Sequence, residues 1–262
     1  MNNIKYIDAH IHLSDQEYAN CADEIISEAR NANVVAMVSS AMDLKTSIDN
    51  MRLAEKYKGL VYTALGIHPW NVQTLTDAEL QQTVDYVLSQ KGHSAFVAIG
   101  EIGLDSKYEK IMDKQLKVFG EMLHLAEGLG LPAIIHSRGM TEKIIEMLPS
   151  YKVKRVLLHW FSNPISALPK AIDRGYYITE GPVTVYSEGI RDIIKKAPLA
   201  NLMTETDGPV KYFKPPFNGK MTTPAYIPII VKAIAEVKNV NVDDVATSVL
   251  GNFEAFFGVR LN

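Results

Sequence analysis

An alternation that runs the length of the chain limits the fold more than any single motif. Short apolar runs stand at about Lys5–Ala9, Val34–Ser39, Leu60–Gly66, Phe96–Glu101, Ala133–His136, Arg155–His159, Tyr176–Thr179 and Leu202–Glu205. Between them lie amphipathic stretches at Ala22–Ala32, Leu44–Tyr57, Asp77–Gln90, Asp113–Gly128, Glu142–Leu148, Ala167–Asp173 and Glu188–Lys196. Another follows at Thr223–Val237, where Ile227, Ile230, Val231 and Ile234 recur at helical spacing, and two shorter helices near Val242–Val249 and Asn252–Phe257 finish the chain. Eight strands each followed by a helix demand parallel strands buried on both faces. An open doubly wound sheet would announce itself by a Gly-rich phosphate loop after the first strand. Here that place holds Asp8-Ala9-His10-Ile11-His12. The expectation is therefore an α/β fold, a (β/α)8 TIM barrel of parallel strands with outer helices. Such barrels take ~250 residues, so the 262 residues form a single domain, 1–262.

The barrel dictates where chemistry belongs, at the C-terminal ends of several strands. His10 and His12 follow strand one, His68 follows strand three, Glu101 ends strand four, His136 ends strand five, His159 ends strand six and Asp207 ends strand eight. Five of the 7 histidines thus fall on one rim. The remaining two, His93 and His124, lie in a loop and a helix and receive no role.

Four imidazoles and two carboxylates exceed one tetrahedral site. They suit two divalent ions roughly 3.5–4 Å apart, bridged by a carboxylate. Glu101 is the expected bridge, with His10, His12 and Asp207 on the first ion and His136 and His159 on the second. Ligation by N and O without sulfur suits Zn, Mn or, less well, Mg. Asp207 would take the proton of the attacking water. Arg138, two residues past His136, suits a phosphate, with a structural salt bridge as its other reading. His68 exceeds the ligand count and is expected to contact substrate phosphate or to donate a proton. Asp8 is expected to fix the histidines.

The net charge of −3 means that nucleic acid would need a local basic patch. One is present beyond strand eight, where the run 210–220 interleaves Lys211, Lys214 and Lys220 with Tyr212, Phe213 and Phe217. Lysines pair with phosphates and aromatics stack on bases. A lid packed on its own aromatics is the competing reading. The single cysteine, Cys21, leaves no disulfide framework and no thiolate zinc cage. No signal peptide and no apolar run of spanning length are read in the sequence, so the expected location is cytoplasmic.

The motifs Asp8-x-His10-x-His12, Gly66-x-His68-Pro69, Gly100-Glu101-Ile102-Gly103-Leu104-Asp105, Leu131-Pro132 through His136-x-Arg138, His159-x-Phe161-Ser162 and Glu205-Thr206-Asp207-x-Pro209 resemble those of the TatD-type metal-dependent hydrolases. That resemblance spans essentially the whole chain. It implies the metallo-dependent-hydrolase type of barrel, two divalent ions, and hydrolysis of phosphodiester bonds with DNA as substrate. The chain departs from the family pattern at Ser14, in His159-Trp160-Phe161-Ser162-Asn163, and in Asn218-Gly219-Lys220-Met221-Thr222-Thr223-Pro224, where the family's arginines and Asn-Glu pair are missing. Hydrolysis of a small phosphoester, lactone or amide at the same centre, or a non-catalytic metal-binding barrel, are the alternatives.

Overall fold

A computed structural model describes residues 4–162 and 164–261. Asn163 of the altered run after His159 lies outside them. Eight strands follow in chain order: β1 (Tyr6–Ile11), β2 (Val34–Ser40), β3 (Val61–Leu65), β4 (Phe96–Gly103), β5 (Ala133–His136), β6 (Val156–Leu158), β7 (Tyr177–Glu180) and β8 (Leu202–Thr204). All seven successive pairings are parallel, in the order β1 to β8. One side-chain hydroxyl and two amides join the last strand and the residues after it to the first. Thr204 Oγ1 donates to Ile7 O, the Thr206 amide to Asp8 Oδ1, and the Asp207 amide to His10 O. The barrel expectation holds, and Asp8 stands in its seam.

The helices are α1 (Ala22–Asn31), α2 (Leu44–Lys56), α3 (Asp77–Ser89), α4 (Met112–Leu129), α5 (Thr141–Met147), α6 (Ala167–Asp173), α7 (Glu188–Lys196), α8 (Ile227–Lys238) and α9 (Val242–Phe257). Asp43 and Thr76 start α2 and α3 with capping boxes, each answering two otherwise unpaired donors. Gly130 and Gly258 end α4 and α9 in the left-handed conformation. The expected pair of terminal helices is one helix. Val245, Val249, Phe253, Phe256 and Phe257 form a single buried stripe through Gly251, and burying that stripe outweighs the propensity cost of one glycine.

The sheet is irregular where the site is built. Pairing shifts register between Asp8 and Ile11 on β1, and between Ile99 and Ile102 on β4. Such bulges re-aim side chains. Here they carry His10 and Glu101, and the Glu101 amide crosses to Ala41 O beyond β2. Gly103 ends β4 at φ +147, and a Cβ there would collide with the His136 carbonyl oxygen. Gly103→Ala should therefore cost roughly 2–4 kcal/mol of stability. Thermal unfolding of the purified variant checks this, and an unchanged Tm contradicts it.

Candidate metal centre

At the C-terminal mouth of the barrel, the side chains of His10, His12, His68, Glu101, His136, His159 and Asp207 form one cluster. Glu101 is its centre and is 1% exposed. Its Oε2 lies 3.3 Å from His10 Nε2 and 3.2 Å from His12 Nε2. Its Oε1 lies 3.1 Å from His68 Nε2, 2.9 Å from His136 Nδ1 and 2.7 Å from His159 Nε2. Asp207 Oδ1 approaches the His10 and His12 Nε2 atoms at 3.4 and 3.5 Å. The residues expected from six separate strand ends are thus brought together.

Partners on the far side of each ring set which nitrogen faces the centre. His12 Nδ1 lies 3.0 Å from Ser40 O, a pure acceptor, so it carries the ring proton. Nε2 is then the nitrogen left to hold an ion, and it faces Glu101 Oε2, Asp207 Oδ1 and His10 Nε2, the last at 3.2 Å. His159 Nδ1 points at Glu205 Oε2 at 3.6 Å, and its ring stacks on His10 with centroids 4.0 Å apart. His136 Nε2 is 2.9 Å from Asp105 Oδ2, leaving Nδ1 for Glu101. Ring protons can answer some of these contacts, but five imidazole nitrogens crowded on one carboxylate, two of them 3.2 Å from each other, suit positive charge placed among them. Glu101 Oε2 is buried there with no hydrogen bond. The donor set therefore fits divalent cations, which carry that charge without a donor proton.

Three sets of donor atoms each lie within 4.8 Å of one another: His10 with His12 and Asp207, His68 with Glu101 and His136, and His10 with His159 and Glu205. The first is the expected ligand set. His68 differs in kind from the other histidines. Its Nδ1 accepts the Trp70 amide, so in the neutral ring Nε2 carries the proton and donates to Glu101. Burial lowers its pKa to about 4 despite Glu101, which keeps it neutral. Both nitrogens are engaged within the protein, Nδ1 by the Trp70 amide and Nε2 by Glu101.

Asp105 and Glu205 had no assigned role in the sequence, although both stand in the motif runs quoted for it. Asp105 is fully buried and accepts from His136 Nε2, Trp70 Nε1 (2.7 Å), the Lys107 amide (2.8 Å) and Arg138. Burial would raise its pKa, but these donors hold it well below the usual carboxylate range. Arg138 reaches Asp105 through Nε at 3.1 Å and a terminal nitrogen at 2.8 Å, with its guanidinium 5.5 Å from the Trp70 ring centre. The structural salt bridge is present. The Arg138 side chain remains 47% exposed. Asp8 accepts from the Thr206 amide and hydroxyl and, more weakly, from the His10 amide. Burial raises its pKa to about 8 against those bonds. Trp160 and Asp207 adopt φ +41 and +50, rarely tolerated in non-glycine residues away from functional sites.

The family model of TatD-related DNases matches residues 7–258. The chain belongs to this family. It is a TatD-type metal-dependent hydrolase. The chain is 30% identical to an uncharacterised metal-dependent hydrolase of Methanocaldococcus jannaschii, with the whole of both chains covered. It is 29% identical to deoxyribonuclease TATDN3 of Homo sapiens, over 91% of this chain and 89% of that one. The crystal structure of the TatD homologue YjjV from Escherichia coli superposes with a TM-score of 0.91 at 28% identity, covering 98% of this chain and 99% of that one. Among the described residues no helix is long and apolar enough to cross a membrane, and Cys21 is a free thiol.

Metal binding to this TatD-family cluster should expel protons. Burial alone would lower the His12 pKa, but Asp207 and Glu101 outweigh it and raise it to about 10. His136 and His159 are raised as well, against burial, by Asp105 and Glu101 and by Glu101 and Glu205 respectively. At pH 7 the metal-free rings therefore hold protons that a ligand nitrogen must give up. Titration calorimetry with Zn²⁺ in buffers of differing ionisation enthalpy should show release of about one proton or more per ion. Heats independent of the buffer contradict this.

Proposed function

We propose that this TatD-family hydrolase is a deoxyribonuclease that cleaves phosphodiester bonds at a centre of two divalent ions. The observation that carries the reading is Glu101. Its two oxygens each face imidazole nitrogens from different strands, which suits a carboxylate shared between two ions. His10, His12 and Asp207 would hold one ion and His136 and His159 the other, with Zn, Mn or Mg as candidates. Bound there, the ions supply Lewis acidity and an acidified water.

The chain's own side chains do the rest. Asp207, ionised and beside the His10–His12 pair, accepts the proton of the attacking water. Burial opposes its ionisation, but His10 and His12 hold its pKa well below the usual carboxylate range. Arg138, fixed side-on by Asp105, offers its outer edge to a phosphoryl oxygen. His68 steadies Glu101, and Asp105 and Glu205 orient His136 and His159. The deoxyribonuclease names among its relatives support DNA as the substrate. The continuous eight-stranded barrel supports a single domain, and the lone thiol supports a reducing compartment such as the cytoplasm.

A metal-supplemented screen tests this reading. It sets labelled single-stranded and duplex DNA against bis(p-nitrophenyl) phosphate, phosphomonoesters, lactones and amides. The expected result is cleavage of DNA and of the generic diester, abolished by chelation. Turnover confined to lactones or amides overturns it.

A further inference from the structure

Among the described residues only four large apolar side chains are exposed, and the two aromatic ones, Trp70 at 42% and Phe213 at 78%, both stand at the mouth of the barrel. They occupy opposite sides. Trp70 follows β3 and donates to Asp105 beyond β4. Phe213 lies beyond β8, in a loop tied by Tyr212 Oη to Thr206 O, with Lys214 Nζ 5.2 Å from the ring centre of Tyr186, beyond β7. In a ring of eight strands these sectors face one another. Glu101 of β4 and Asp207 after β8 lie between them.

The loop also separates its aromatics by role. Tyr212 and Phe217 are buried and pack on each other, 5.8 Å between centroids, so they hold the loop down. Phe213 is left out of that packing. Its ring lies beside Gly219, where an added Cβ would stand 3.1 Å from two adjacent carbons of the ring, and most of the ring is open. Of the three loop lysines, Lys211 is paired with Glu17 at 2.6 Å, whereas Lys214 and Lys220 have no carboxylate partner among the described residues. Trp70 has its own cation in Arg138. Each platform thus comes with positive charge on a protein of net charge −3.

We propose that Trp70 and Phe213 are two base-stacking platforms that seat the nucleotides on either side of the scissile phosphate, with Arg138 on that phosphate beside Trp70 and Lys214 on the next one beside Phe213. This rests on the phosphodiesterase reading. Stacking on an aromatic face is tolerant of base identity, and a ring already fixed in place loses little entropy on binding.

The test is steady-state cleavage of a single-stranded oligonucleotide by the metal-loaded enzyme, beside the same oligonucleotide with abasic residues flanking the cut. Phe213→Ala should raise KM for the base-bearing strand about tenfold with kcat little changed, and Phe213→Tyr should restore it. On the abasic strand the rise should shrink to within about twofold, since no stacked base remains to lose. Trp70 is one of 2 tryptophans, so in Trp160→Phe its emission reports stacking directly. It should be quenched by the base-bearing strand and not by the abasic one. Equal KM effects on both strands, no KM effect, or an unquenched Trp70 overturns the proposal. If the wild type cleaves bis(p-nitrophenyl) phosphate but no oligonucleotide, the platforms fail and the phosphodiesterase centre stands. If it cleaves neither, the underlying reading fails and the platforms fail with it.

Discussion

Glu101→Gln should reduce kcat by on the order of 10⁴-fold and strip the protein of bound metal. No other side chain touches so much of the centre. The two Glu101 oxygens meet five imidazole nitrogens between 2.7 and 3.3 Å. Glutamine keeps the size and one oxygen, so packing survives, but it removes the negative charge and turns half of the group into a donor. That donor would face His10 and His12 or the His68–His136–His159 side, where ligand nitrogens need a cation. Loss of the shared carboxylate weakens both ion sites together. The checks are kcat on DNA and metal content of the same preparation, with circular dichroism to establish folding. Two ions per chain and near-normal turnover in a folded Glu101→Gln would remove Glu101 from the centre.

The second large effect is expected from Asp207→Asn. Asp207 holds φ +50, which asparagine adopts readily, and its amide bonds His10 O, so the backbone at the β8–β1 seam should be undisturbed. What disappears is a carboxylate 3.4–3.5 Å from two imidazoles. With the proton acceptor and one ligand charge gone, kcat should fall about 10³-fold or more. Because both carboxylates serve one centre, the double variant with Glu101→Gln should be scarcely slower than Glu101→Gln alone. Independent, multiplying losses would mean that the two act in separate steps or separate sites.

Strands and most helix bounds were legible because they rest on local periodicity, and the six ligand candidates because a barrel sends strand ends to one rim. The structure adds what crosses the barrel. Ser40 fixes His12 from 28 residues away and Asp105 fixes His136 from 31, and neither distance leaves a mark in local sequence. Asp105 carried one weak signal, a carboxylate in the loop directly after β4. The brace role of His68 depends on which nitrogen receives the Trp70 amide, a matter of loop geometry and not of residue type. The left-handed turns at Trp160 and Asp207 were invisible for a related reason. Tryptophan does not favour that conformation, and aspartate, though enriched in it, adopts it too seldom for one residue to mark the turn. In the run 210–220, alternating lysines and aromatics looked uniform. Folding divides them into buried anchors, an answered lysine and an exposed remainder, Phe213, Lys214 and Lys220.

The central claim is a pair of divalent ions held around Glu101, and metal counting tied to activity tests it most directly. Purified protein is stripped with chelator, reloaded stepwise with Zn²⁺ or Mn²⁺, and measured at each step for bound metal by mass spectrometry and for DNA cleavage. Activity should be absent in the stripped protein and reach its plateau at about two ions per chain. Full activity with one ion bound, or with none, would contradict the account.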